Sequence, residues 1–341
     1  MASLTAHPPL EAHGVRVGRT TFTLRDTARD GRSIAVEAWY PATGETAART
    51  RYEVLPGIEF ESAGAEASPD VAPGSFPLLV LSHGRTGMRF NYSLLCEALA
   101  ARGLVVVSCD HPGDVLNDWL MGTFVDDRTN EVNRVADTAF VIGAMLDGSA
   151  DPQLTAVVDA ERIATIGHSY GGYTGLAAVA GRRGSPPDTR VKAVIGLQPY
   201  TRTLSDAALA RVTVPVLLIL SAHDTTAPPA TDGERPWDLV SSPITWRLDL
   251  QSAAHHASSD MGLYLELAGL IPDLPPMVMA YVAMMTPDMV GPHLRPWREN
   301  LAVQVRAIAA FLDVALGLDP DRGTAAADAI DAEPGVSLQR R

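Results

Sequence analysis

The chain has 341 residues, 46% of them hydrophobic and 20% charged, which is ordinary globular composition, and its formal net charge is -13. That sign excludes nucleic acid as an expected partner, because a phosphate-tracking protein needs a basic face to displace counterions. The longest apolar stretch, about residues 261–290, is broken by Pro272, Asp273, Pro275, Pro276 and Asp288, so no integral membrane segment is expected and the stretch reads as a cap.

From the start, MASLTAHPPLEAHGVRVG shows no basic segment followed by an apolar run. The expected location is therefore cytoplasmic, or secreted if a leader has been removed. Residues 15–24 and 33–40 alternate in polarity and predict an antiparallel hairpin at a sheet edge, and 41–75 reads as loop. Short apolar runs follow at 76–82, 104–109, 162–167, 191–198, 214–221 and 244–250, mostly without alternation. Such runs fit strands covered on both faces. Helical patterns lie between and after them, at 91–102, 132–147, 170–181 and 299–316. The alternation predicts an α/β fold with a mostly parallel, doubly wound sheet. One domain is expected over 1–318, with cap elements at about 113–132 and 257–296 and a loosely ordered tail at 319–341. Cys96 and Cys109 are too few for a disulfide framework and are expected as buried thiols.

The chemistry centres on Gly167-His168-Ser169-Tyr170-Gly171, which falls between a predicted strand and a predicted helix. That is the setting of a nucleophile elbow, where a strained turn presents Ser169 at a helix N-terminus and side chains at 167 and 171 would clash. A serine hydroxyl needs an adjacent base and a third group to orient that base. In this arrangement the partners follow in the order Ser, Asp, His. Strand 214–221 runs into Ala222-His223-Asp224, and strand 244–250 runs toward His255-His256. All three segments end at the carboxyl edge of the sheet, where ligands bind in open α/β folds. Asp224 is the expected acid, with Asp249 and Asp260 expected to be structural, and either His255 or His256 could be the base. Strand 76–82 leads into His83-Gly84-Arg85-Thr86-Gly87, a turn able to aim a backbone N–H into the crevice. The expected oxyanion donors are the amides of Arg85 and Tyr170. Trp119, Phe124, His168 and His256 are candidate substrate contacts, and the methionines of 261–290 suggest an adaptable cap. No His-Glu-x-x-His or Cys-x-x-Cys pattern exists, so no metal and no cofactor are expected.

With these residues in hand, LSHGRTGMRFNYSLLCEALAARGLVVVSCDHPGD, IGHSYGGYT, LILSAHDTTAP and SAAHHASSD resemble the plasma-type platelet-activating factor acetylhydrolases and the related bacterial dienelactone-hydrolase-like and cutinase-like esterases. The resemblance spans roughly residues 77–260. It implies an α/β-hydrolase fold, hydrolysis of a small-molecule ester through an acyl-enzyme, and His255 as the base. In the acetylhydrolase branch the acid follows the strand equivalent to 191–198, where this chain has Gln198-Pro199. Here the carboxylate comes from Asp224, the cutinase-like placement. Arg85 replaces the apolar or aromatic residue usual in those relatives, and its side chain could meet an anionic substrate group. Two rival readings stand beside this one: a serine peptidase with a prolyl-oligopeptidase-like elbow, and a hydrolase-fold binder without turnover.

Overall fold

The computed structural model describes residues 2–7, 15–55, 58–182, 184–271 and 274–341. The described residues form one sheet of twelve strands. In chain order these are β1 (Ala2–His7), β2 (Arg16–Asp26), β3 (Arg32–Ala42), β4 (Arg49–Leu55), β5 (Ile58–Ala67), β6 (Phe76–Ser82), β7 (Val105–Cys109), β8 (Val158–His168), β9 (Val191–Leu197), β10 (Val216–Ser221), β11 (Thr245–Leu250) and β12 (Val336–Arg340). Across the sheet the order is β1-β5-β2-β3-β7-β6-β8-β9-β10-β11-β12, with β4 paired to β5. The six strands from β7 to β11 run parallel.

Those six strands are the unbroken apolar runs of the sequence, and their residues divide between two cores. Leu79, Leu81, Ile166 and Ile219 join the core on one face, while Leu78, Val80, Ile163 and Leu218 join the other. Helices α1 (Ser93–Ala100) and α10 (Trp297–Ala315) cover the first face. Helices α3 (Asp127–Asp147) and α5 (Tyr170–Ala180) cover the second. A strand buried on both sides has no polar face, which is why periodicity of two is absent from its sequence. The predicted hairpin is the antiparallel pair β2–β3, and Cys96 and Cys109 are free, buried thiols. No helix among the described residues is long and apolar enough to cross a membrane.

Two expectations are corrected. Residues 41–75, read as loop, contain β4 and β5, with Tyr52 and Phe60 buried and their rings stacked 5.0 Å apart. The 319–341 tail is ordered. It forms α11 (Pro320–Asp331) and β12, which pairs antiparallel with β11. Gly323 lets the α11 backbone approach α10 so closely that a Cβ there would lie 2.6 Å from the Ala310 carbonyl oxygen. Ala327, Ile330, Val336 and Leu338 enter the same core as Phe311. Composition rich in Ala, Asp and Gly hid this docking, because its apolar residues are few and spaced for a small contact.

Candidate active site

The chain runs from β6 out to β7 on one side and returns through β8 on the other, so β6 and β8 flank the point where strand order reverses. Crevices in open α/β sheets form outside the strand ends at such a point. Ser169 follows β8 with φ 53° and ψ -117°. The backbone is held there by Ser169 N–H donating to the Leu197 carbonyl at 2.9 Å. The two flanking glycines are obligatory: a Cβ at Gly167 would sit 2.1 Å from the Gly171 oxygen, and one at Gly171 would sit 1.9 Å from the Ser82 oxygen. Backbone strain of this kind clusters at functional sites.

Asp224 lies in the turn after β10, where its own N–H donates to Ser221 O, and Oδ1 accepts from the amides of Thr226 at 2.9 Å and Ala227 at 2.7 Å. Its Oδ2 lies 2.7 Å from His255 Nδ1, and His255 Nε2 lies 3.0 Å from Ser169 Oγ. The three side chains thus form one hydrogen-bonded row, all of them buried. The hydrogen-bond network assigns the proton on Nδ1 facing the carboxylate, leaving Nε2 to accept from the serine. The loops carrying Asp224 and His255 are joined by the His223 N–H bonded to the Ala253 carbonyl at 3.0 Å. Asp249 pairs with Arg247 inside β11, and Asp260 caps α1 through the amides of Ser93 and Leu94.

The loop after β6 is fixed from below. Arg134, fully buried on α3, pairs with Asp114 at 2.7 Å and donates to the carbonyls of His83 at 2.8 Å and Gly84 at 3.2 Å. His83 Nδ1 also donates to Gly84 O, while its Nε2 accepts from the His111 amide. Burial, then Arg134, hold His83 well below the ordinary histidine range, so it is neutral. Because the C=O and N–H of one peptide point in opposite directions, anchoring the Gly84 carbonyl downward turns the Arg85 N–H the other way. At the elbow, Ser169 O accepts from the amides of Gly172 and Tyr200, which likewise turns the Tyr170 N–H outward at the first turn of α5. Among the described residues neither amide donates to a protein acceptor.

Ser169 and His255 open on a cleft of about 220 Å³ that Gly84, Arg85, Thr86 and Gly87 also line. His256 is on its wall, near Asp288, and burial followed by the His255 charge pushes its pKa down to about 3. His168 is on the wall too, but both its ring nitrogens are engaged, with Tyr92 Oη at 2.9 Å and the His255 carbonyl at 2.7 Å. Phe124, about 42% exposed, lines neither the cleft nor the apolar pocket beside it. Trp119 lines that neighbouring pocket and not the cleft. The Arg85 side chain is paired with Asp127 at 2.6 Å and lies over the Tyr170 ring, so it is already matched by a carboxylate. Tyr92, Arg134 and Asp114 were not singled out from sequence. Their partners lie 8 to 76 positions away, and no local pattern links them. Among the described residues no three His, Cys, Asp or Glu side chains converge as a metal ion would require.

Such a row can activate a hydroxyl for attack on a carbonyl. The comparisons fit that chemistry. Over 195 residues the chain is 29% identical to the cutinase est1 of Thermobifida alba, covering 56% of this chain and 58% of that protein. It is 28% identical to the platelet-activating factor acetylhydrolase of Canis lupus familiaris over 188 residues, 43% of this chain and 40% of that protein. The chain therefore spans about half the length of the curated relatives it matches. A ferulic acid esterase from Streptomyces cinnamoneus has the same fold, with a TM-score of 0.73 at 23% identity, over 98% of this chain and 99% of that one. A family model described as PET hydrolase-like matches residues 50–268, most of the chain and all three members of the row, and the protein belongs to that family of α/β-hydrolases.

Proposed function

We propose that this protein is a serine carboxylic ester hydrolase acting through an acyl-enzyme on small or medium-chain esters, without a cofactor. Ser169 is the nucleophile, His255 the general base, Asp224 the group that orients it, and the Arg85 and Tyr170 amides receive the oxyanion. The observation that supports this best is the unbroken pair of bonds from Asp224 through His255 to Ser169 on a backbone that only a built elbow would strain. The relatives carry cutinase, acetylhydrolase or esterase in their names, which agrees with ester chemistry.

In the first half-reaction His255 Nε2 takes the Ser169 proton as Oγ bonds to the ester carbonyl carbon. The carbonyl oxygen, now anionic, accepts from the two amides. Collapse breaks the carbon–alkoxy bond, and the imidazolium returns its proton to the leaving alcohol. Water repeats the cycle on the acyl-serine and frees the acid. Proton transfer by a placed base contributes typically about 10²–10⁴ in rate, and each oxyanion donor about 10²–10³. Hydrolysis of p-nitrophenyl butyrate tests the reading: replacing Ser169 by Ala should cut kcat by at least about 10⁴ with folding unchanged, and retained turnover would refute it.

A further inference from the structure

Beside the cleft lies a second pocket of about 110 Å³, almost wholly apolar, between α2 (Leu116–Met121) and the cap helices α8 (Met261–Ala268) and α9 (Pro276–Met285). Leu116, Trp119, Leu120, Leu267, Val278 and Val282 are on its wall. Four residues, Asn91, Met261, Tyr264 and Tyr281, line both this pocket and the cleft holding Ser169, so the two spaces share a wall. On that shared wall Asn91 Oδ1 and Tyr264 Oη are buried without a hydrogen-bond partner among the described residues. Beyond them the pocket offers a substrate nothing but carbon and sulfur surface on most sides. The α9 portion of the wall lies outside the 50–268 match.

Resting on the ester-hydrolase reading, we infer that this pocket is the specificity site for one apolar arm of a small ester. An ester oxygen accepts from Tyr264 Oη, and the arm continues between Trp119 and α9. Apolar surface removed from water favours each added methylene by a factor of about four. A charged end group on the arm would find no partner there and would be rejected.

Two ester series distinguish which arm enters: p-nitrophenyl acetate, butyrate and hexanoate vary the acyl side, and ethyl, butyl and hexyl acetate vary the alcohol side. In one series kcat/KM should rise roughly tenfold or more from the shortest to the longest member, and Ala268→Phe, at a position that lines the pocket but not the cleft, should flatten that rise to within about twofold while the shortest ester keeps its rate. Flat response in both series, or equal loss for short and long esters in the variant, overturns the inference while leaving ester hydrolysis standing. Binding supplies a readout that needs no catalysis. Hexan-1-ol should perturb the fluorescence of Trp119 in the Ser169→Ala protein, with the change lost in a Ser169→Ala, Trp119→Phe protein. No perturbation at saturating alcohol overturns the pocket whatever the kinetics show.

Discussion

The His168 ring is bonded to the backbone of His255: Nε2 donates to the His255 carbonyl oxygen at 2.7 Å. Burial, then His255 and His256, hold His168 well below its ordinary pKa, so the ring is neutral and its Nδ1 accepts. Tyr92 Oη is the donor there, and it in turn accepts from the Gly84 amide at 3.1 Å. One unbroken run of bonds therefore ties the loop after β6 to the loop carrying His255. His168, which the sequence offers as a substrate contact, is therefore proposed as a positioning residue for His255.

Replacing His168 by Phe should lower kcat by about 10–100-fold with KM changed less than about threefold, since misplacing reacting groups by a fraction of an ångström is costly. Tyr92→Phe, which keeps the ring and loses the relay oxygen, should show the same split in weaker form. Steady-state kinetics on a short ester check this. A change confined to KM would mean that His168 contacts substrate after all.

In the proposed mechanism Arg85 contributes its amide and not its charge. Its guanidinium is paired with exposed Asp127, and such surface pairs are worth less than about 1 kcal/mol. Arg85→Ala should therefore leave kcat within about threefold and leave the ratio of rates on neutral and anionic esters unchanged. Selective loss on anionic esters would show that the side chain leaves Asp127 to meet substrate.

Much of this was legible in advance and some was not. The parallel strands announce themselves because burial on both faces forces continuous apolar runs, and the elbow does because Gly167 and Gly171 have no alternative. That Ser169, Asp224 and a histidine of the 255–256 pair would meet followed from strand ends sharing one edge, while the choice of His255 rested on the family resemblance. By contrast, β4 and β5 hide among charged and small residues, although Arg51-Tyr52-Glu53-Val54 does alternate. Networks such as Arg134–Asp114 and Tyr92–His168 join residues far apart in sequence, and nothing local reports that an arginine is fully buried.

The ordered tail carries weight. Deleting residues 319–341 removes Ile330, Val336 and Leu338 from the core and strips β11, which leads to His255, of its outer neighbour. Burial of such side chains stabilises by about 1.5–3 kcal/mol each, together comparable to the whole stability of a domain. The truncated protein should lose at least about 10 °C in Tm or fail to remain soluble. An unchanged thermal transition would restore the reading of a loose end.

Glu97 is buried against Tyr52 and Ser62, and loss of hydration pushes its pKa up to about 7 from an ordinary 4.5. The folded state then binds the proton more tightly than the unfolded one, so this group's cost to stability grows as pH rises from about 4.5 and is complete above about 7. Glu97→Gln removes that titration. The stability of the variant relative to the wild type should climb between pH 5 and pH 8, by up to ~3 kcal/mol, in urea unfolding followed at several pH values. A difference that is constant with pH would show that Glu97 titrates alike in both states.

In the proposed mechanism everything depends on Ser169 being the activated hydroxyl. Treatment with a fluorophosphonate followed by peptide mapping by mass spectrometry reads this directly, since only an activated serine is phosphonylated rapidly. One adduct is expected, on the peptide containing Ser169, slowed by at least about 10³ in a His255→Ala protein. An adduct on another serine, or none while the same preparation turns over esters, would contradict it.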